Sequence, residues 1–484
     1  MIPLTVAQLA RATGGQIIGP EGSEHVVIDG PVVTDSRAVA RGGLYVARVG
    51  EQADGHAFVG AARRAGAVAA LTSHAVPESA KMPCLVVDDV QAAFGAVARA
   101  VLDRAGAEGF GPTVVGVTGS SGKTSTKDLL AQVLGQAGET VAPVNSLNGE
   151  IGVPLTVCRI TTATRFLVVE MGARGIGHVR YLTDIAPPRI GVVLNVGTAH
   201  VGEFGGREAI ATAKGELVEA LPATGLAVLN ADDSAVAAMA TRTRARVVLV
   251  GESPEAAVRA TDVRLDRQGR AAFRVSTPEG SAEVRLALHG RHHVGNALAV
   301  VAVALECGMP LAAVIDALES SGPVSRWRME VTERADGVTV VNDAYNANPD
   351  SMSAALAALT AMSCPEGGAR RRSVAVLGEM LELGSDARSA HEAVGAEVAA
   401  RHVDVLVTVG QGADAMADGA ERSADATAAP GTARPQTYRA SDADTAYALL
   451  REKLRPGDVV LFKSSNAAGL RWLGERVAAM EVTT

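Results

Sequence analysis

Val114-Val-Gly-Val-Thr-Gly-Ser-Ser-Gly-Lys-Thr-Ser125 runs straight into an Ala/Leu-rich stretch over 127–134. An apolar β-branched run, a glycine turn and a helical pattern follow one another without a gap. That order places backbone N–H groups and the positive end of a helix around an anion. Gly119 and Gly122 let the chain turn tightly, and the loop from Thr118 through Ser120, Ser121 and Ser125 supplies the cradle. Lys123 can bridge outer phosphates, and the Thr124 hydroxyl can ligate Mg²⁺. The common nucleotide loop has glycine at the position of Val117, so this is a shorter Gly-x-x-Gly-Lys-Thr form. A chance glycine turn would explain the glycines alone. The coincidence of strand, Gly-Lys-Thr and helix makes nucleotide binding the expectation.

Outward from this loop, short β-branched runs alternate with helical stretches almost throughout. Strands are expected at 114–117, 167–169, 191–195, 227–229, 373–377, 405–409 and 459–462. Such alternation is the mark of an α/β protein with mostly parallel sheets. Gly106-Ala-Glu-Gly-Phe-Gly-Pro112 and Ser320-Ser-Gly-Pro323 read as boundaries. They divide the chain into 1–111, 112–322 and 323–484, each of ordinary domain size. Residues 297–305 read as a buried core helix. Residues 421–439 read as a flexible Ala/Ser/Thr/Pro loop, and 367–372 as a small basic loop on a solvated face.

Composition narrows the classes. The 484 residues carry 45 basic and 53 acidic side chains, a net charge of −8, which argues against a protein that works by neutralising nucleic-acid phosphates. Aromatics are 3%, too few for a base-stacking surface. Hydrophobic residues at 48% allow a large core. Cys84, Cys158, Cys307 and Cys364 are far apart in sequence, so free thiols in a reducing compartment are expected. No basic and apolar leader opens the chain, and no apolar run reaches the roughly 18 residues of a membrane span. A cytoplasmic protein is the expectation.

Glu170 closes the apolar run 166–169, and His200 follows the run 191–195 after a short turn. Open α/β sheets present ligands at the carboxyl ends of their strands. Lys214 sits in a stretch whose apolar positions, Ile210, Ala213, Leu217 and Leu221, follow helical spacing. Singly, each has a plain structural reading: a cap, a satisfied histidine, an exposed lysine. Beside a phosphate loop they form a candidate metal set with Thr124, because a triphosphate needs cations and cations need such ligands. A neutral Lys214 would also be able to add carbon dioxide and become a carbamate anion.

Many blocks in order make the chain similar to the Mur ligase family of cell-wall synthesis. They are Thr34-Asp-Ser-Arg37, Gly43-Leu-Tyr-Val-Ala47, Asp54-Gly-His56, the phosphate loop, Asn145-Ser-Leu-Asn-Gly-Glu-Ile-Gly-Val-Pro154 and Glu170-Met-Gly172. Asn195 to His200, Ala213-Lys-Gly-Glu216, Asn230-Ala-Asp232, Gly290 to Asn296, Arg328-Met-Glu330, Asn342-Asp-Ala-Tyr-Asn-Ala-Asn-Pro349 and Leu377-Gly-Glu-Met-Leu-Glu-Leu-Gly384 complete the series. The blocks 343–349 and 378–384 resemble the branch that adds a dipeptide. The Tyr-Ala-His and Asp-Asn-Pro-Arg motifs of the branch that adds the third amino acid are missing.

The resemblance implies three domains: a smaller N-terminal α/β substrate domain, a central P-loop ATPase and a C-terminal Rossmann-like domain. It implies an ATP-dependent amide ligase that joins D-alanyl-D-alanine to UDP-N-acetylmuramoyl-tripeptide through an acyl phosphate. The product is the pentapeptide precursor of peptidoglycan. Thr124 and Glu170 would hold one Mg²⁺, and Glu170, His200 and a carbamylated Lys214 a second, with Lys123 on the phosphates. Asn296 would meet adenine, and Arg328 and Asp343 would close over phosphates and ribose. Ser36 would meet the uridine diphosphate, with Asn145 and Asn148 also on the substrate side. Tyr345, Asn346 and Asn348 are candidates for D-alanyl-D-alanine, although Asn348-Pro349 also reads as a helix cap. A monomer is expected. His293 and Ser464 depart from the family pattern, which often has an amide and usually a glycine there. A sister ligase adding a single amino acid, a non-catalytic scaffold and a plain P-loop NTPase are the competing readings.

Overall fold

The computed structural model describes residues 1–50, 53–197, 206–365, 368–426 and 434–480. The run from Val114 becomes the strand Thr113–Thr118, and Lys123 opens the helix Lys123–Gly135. That strand lies inside a nine-stranded sheet. Its neighbours are Ile190–Val193 on one side and Thr164–Glu170 on the other, both parallel. Glu139–Val141 closes the near edge. On the far side Leu226–Asn230, Arg246–Gly251 and Val258–Leu265 continue the parallel order, and Arg270–Thr277 and Gly280–His289 finish it antiparallel. Strands covered on both faces carry near-continuous apolar runs, which is why Ile190–Val193 is buried at every position.

A five-stranded sheet precedes it, ordered Gln16–Ile18, Cys84–Val86, Ala67–Thr72, Gly43–Val46, Val32–Val33. A six-stranded sheet follows, ordered Glu330–Glu333, Thr339–Asn342, Val459–Lys463, Ser373–Gly378, Val405–Val409, Gln436–Ala440. It is parallel except at its first pair. The molecule is therefore α/β, with three sheet-centred units in sequence order.

The helix Val90–Ala107 joins the first unit to the second more firmly than the glycines at 106–111 suggest. Its residues Phe94, Val97 and Val101 belong to one apolar core with Leu44 and Leu71 of the first sheet and Leu167 and Val193 of the second. Arg99 donates to the Asp184 carbonyl at 2.9 Å. A Cβ on Gly95 would come 3.0 Å from Ile185 Cδ1, so the two units pack in direct contact there. The third unit has cores of its own, on the two faces of its sheet.

One expectation needs correction. The stretch 421–439 is not a loop: the helix Asp414–Ala426 runs into it, and the strand Gln436–Ala440 begins within it. Glu421, Arg422, Ala424 and Ala426 are good helix formers, and parallel pairing to Val405–Val409 overrides the low strand propensity after them. Residues 427–433 lie outside the described residues. The helix His293–Glu306 is the expected buried core helix over 297–305. The arginines of the basic loop are bonded rather than merely solvated: Arg371 donates to the Gly457 carbonyl and Arg372 to the Lys453 carbonyl. No helix among the described residues is long and apolar enough to cross a membrane. No disulfide forms, and Cys84 and Cys158 are buried thiols.

Candidate active site

Gly122 has φ of +80°, which glycine adopts at little cost, and a Cβ there would come 2.7 Å from Asn296 Oδ1. Two parallel-strand ends shape the loop. Ser121 N–H donates to Asn195 Oδ1 at 2.9 Å, and Asn195 Nδ2 returns a bond to the Ser121 carbonyl. Gly197 N–H donates to Ser120 Oγ at 2.9 Å. Thr118 does not line the cleft: its buried hydroxyl donates to the Met171 carbonyl and ties the loop's strand to the Glu170 strand.

Around this loop a cleft of about 320 Å³ opens. The loop from Gly119 to Ser125 lines it, with Asn148, Glu170, Lys214, Asn296, Arg328, Asp343, Asn346 and Asn348. Residues about 200 positions apart in sequence therefore share one space. Thr124 Oγ1 donates to Glu170 Oε2 at 3.1 Å and lies 2.6 Å from Ser146 Oγ. Asn148 Nδ2 donates to Glu170 Oε1 at 2.9 Å. Glu170 is 1% exposed, and among the described residues the donors it receives, from Thr124 and Asn148, are neutral. From the third unit, Arg328 Nη2 donates to Ser146 Oγ at 3.0 Å and reaches Thr124 Oγ1 at 3.4 Å. Its Nε is buried and has no hydrogen-bond partner among the described residues.

The cleft is positive where the loop lies. Lys123 donates to its own loop at the Gly119 carbonyl, 2.6 Å away. Burial lowers its pKa, Glu170 pulls it back up, and the Arg328 charge lowers it again. Burial holds the Lys214 amine well below its ordinary value of 10.5, and the Lys123 charge pushes the same way. Lys214 lies on the helix Arg207–Glu219 and lines the same cleft. Cations that depress one another would be relieved by a polyanion.

His200 falls outside the described residues. Ser36 starts a short turn capped by Asp35 in the first unit, away from this cleft. Asn145 is exposed at φ +54° and does not line the cleft. Tyr345 lies under the Arg328 guanidinium, 4.4 Å from its ring centre, and is not on the cleft wall. Asn348 caps the helix Pro349–Ser363 through Ser351 N–H at 2.8 Å, so the structural reading of that residue holds while it also borders the cleft. Among the described residues, no three His, Cys, Asp or Glu side chains gather as a metal cluster.

Sequence reading missed Ser146, whose hydroxyl joins Thr124 to Arg328. The only signal was its place in the 145–154 block. It missed His292, Arg174 and His178, which also line the cleft. Glu216 is structural, accepting Gly177 N–H and Arg180 N–H at the start of the helix His178–Ile185. The departures are accommodated. His293 is buried, which lowers its pKa well below the ordinary 6.5, and it contacts Asn296 at 3.3 Å. Ser464 fits because Gly378 opposite has no Cβ; one there would stand 2.8 Å from Ser464 Cβ.

A phosphate loop on a parallel sheet, a buried carboxylate beside it and an arginine from a separate sheet define a P-loop nucleotide-binding α/β architecture. Family profiles for the Mur ligase catalytic domain, the Mur ligase middle domain and the Mur ligase glutamate ligase domain match residues 31–101, 117–304 and 327–466. The chain belongs to the Mur ligase family. It is 48% identical to the UDP-N-acetylmuramoyl-tripeptide–D-alanyl-D-alanine ligase of Mycobacterium tuberculosis (strain ATCC 25618 / H37Rv), over 99% of this chain and 98% of that one. The enzyme of that name from Escherichia coli (strain K12) is 35% identical over 88% and 91%. A crystal structure of MurF from Acinetobacter baumannii superposes with a TM-score of 0.85 at 30% identity, covering 99% of both chains. MurF ligase from Thermotoga maritima in complex with ADP gives 0.78 at 27%, covering 93% and 98%.

Proposed function

We propose that this chain joins D-alanyl-D-alanine to UDP-N-acetylmuramoyl-tripeptide at the expense of ATP. The observation that carries the reading is the convergence of Thr124, Glu170 and Arg328 on one point of the phosphate loop. The tripeptide carboxylate attacks the γ-phosphorus, the bond to the bridging oxygen of ADP breaks, and an acyl phosphate forms. The amine of the dipeptide then attacks the acyl carbon, phosphate leaves, and the amine loses a proton. Two anions must meet in the first step, so Lys123 and Arg328 hold the transferring oxygens as charge spreads over them.

The domains divide at 111/112 and 322/323. Mg²⁺ fits beside the loop, because the buried Glu170 carboxylate, whose donors among the described residues are neutral, calls for a cation, and hydroxyl plus carboxylate oxygens suit a hard one. Thr124 and Glu170 would hold it, where it supplies neutralising charge to the β/γ-phosphates. Glu170 and His200 would hold a second with Lys214, which once deprotonated can add carbon dioxide, lose a further proton and become an anion. Asn296 contacts adenine, Asp343 the ribose, Ser36 the uridine diphosphate, and Asn346 the incoming dipeptide. The enzyme works as a cytoplasmic monomer.

The test is phosphate release from ATP with UDP-N-acetylmuramoyl-tripeptide, with and without D-alanyl-D-alanine. Release requiring both, with a pentapeptide product by mass, is expected. Release with a single amino acid instead would move the chain to a sister ligase.

A further inference from the structure

Thr124, Asp128 and Gln132 are spaced by four along the helix Lys123–Gly135, so they form one stripe on its surface. Each meets the segment that leads into the third unit. Gln132 clamps Gly322 from both sides: its Nε2 donates to the Gly322 carbonyl at 3.0 Å, and Gly322 N–H donates to its Oε1 at 3.1 Å. One turn nearer the phosphate loop, Ser325 N–H donates to Asp128 Oδ2 at 3.2 Å. Lys127 pairs with the other Asp128 oxygen and also donates to the Pro143 carbonyl at 3.0 Å. At the loop itself, Arg328 reaches Thr124. The pairs 132–322, 128–325 and 124–328 run in antiparallel order.

Beyond Ser325 the backbone is held by a different body. Trp327 N–H donates to Glu330 at 3.0 Å and Met329 N–H to Asp343 at 3.1 Å, both in the third unit. Trp327 and Met329 have φ of +58° and +53°, a strained conformation for such side chains that surroundings must enforce. Arg328 stands between them. Arg326 is the residue at which the two sets of restraints meet.

We infer that Asp128 and Gln132 are positioning residues for the ligation: they fix the register in which the linker carries Arg328 onto the nucleotide's helix. This rests on the proposed function for what Arg328 does, and on the hydrogen bonds alone for how it is placed. The helix whose first turn cradles phosphate is also the rail that aligns the third unit.

Gln132→Ala and Gln132→Glu test it, because Gln132 is only half-buried and its loss leaves the core intact. Hydrogen exchange of the segment 320–326 is measured in the whole, ligand-free protein. Exchange is expected to quicken about tenfold in Gln132→Ala, the scale of one lost hydrogen bond, and less in Gln132→Glu, which keeps the acceptor for Gly322 N–H. Steady-state phosphate release should show kcat lower by about ten- to a hundredfold, because a small misplacement of a charge-stabilising group costs that much. KM for ATP should stay within about twofold, since the loop's backbone is untouched. Unchanged exchange overturns the inference, and so does faster exchange with an unchanged kcat. A wild-type protein that ligates no substrate pair defeats the functional reading; exchange alone then judges the track, and retained protection in Gln132→Ala sinks it.

Discussion

Lys463 Nζ lies 2.6 Å from Asp343 Oδ2, with the lysine 2% and the aspartate 13% exposed at their side chains. The same ammonium donates to the Asn346 carbonyl at 3.0 Å. The pair therefore pins the turn that carries Asn346 and Asn348 into the cleft. Lys463→Met would leave Asp343 buried without its cation and should cost about 3–5 kcal/mol. Adding Asp343→Asn should recover most of that. Chemical denaturation of the two single variants and the double variant measures the coupling, and simple additivity would refute it.

Glu170 is a buried anion next to a hydroxyl that also serves the phosphate loop. Glu170→Gln keeps the shape and the acceptor for Thr124 but removes the charge. ATP turnover should fall about a hundredfold or more, the scale set by losing one preorganised electrostatic group. The Mg²⁺ concentration for half-maximal rate should rise. A magnesium titration of phosphate release reads both effects, and an unshifted titration would remove Glu170 from the metal site.

Lys214 gives a pH signature. Its folded pKa lies well below the ordinary 10.5, so between those two values the unfolded chain binds a proton that the folded chain does not. Stability then rises with pH across that window. Compared with Lys214→Met, the wild type should gain stability as pH climbs toward 10.5, and the gain should stop above it. Thermal melts of both proteins in carbon-dioxide-free buffers provide the comparison; parallel curves would mean the amine is charged when folded.

Asn348 both caps a helix and borders the cleft, and substitution can separate the two. Asn348→Ala should lose about 1 kcal/mol of stability with the cap. Asn348→Asp keeps an oxygen for Ser351 N–H and should retain that stability. If the amide group also meets the dipeptide, Asn348→Asp will raise KM for D-alanyl-D-alanine while melting like the wild type. An unchanged KM would leave Asn348 a cap only.

The phosphate loop was legible because its chemistry is local: strand, glycine turn and helix are contiguous, and so are the side chains that act. Glu170 and Lys214 were legible through their places at a strand end and on a helix. Ser146 was not, because its importance lies in standing between Thr124 and an arginine 182 residues away. The contact between Tyr345 and Arg328 was hidden for the same reason: the guanidinium stands over the ring, and no spacing rule encodes that. The 421–439 stretch misled because composition favoured a loop, whereas the neighbouring strand supplied the hydrogen bonds that made part of it sheet.

The helix Val90–Ala107 welds the first two units into one core, while the third has separate cores on the two faces of its own sheet. Cooperative melting follows shared cores rather than family divisions. Scanning calorimetry of the ligand-free chain should therefore resolve two transitions, not three. Saturating ADP, which would be gripped from both bodies, should draw them together. A chain with three recognisable modules would then behave, when heated, as a protein with two.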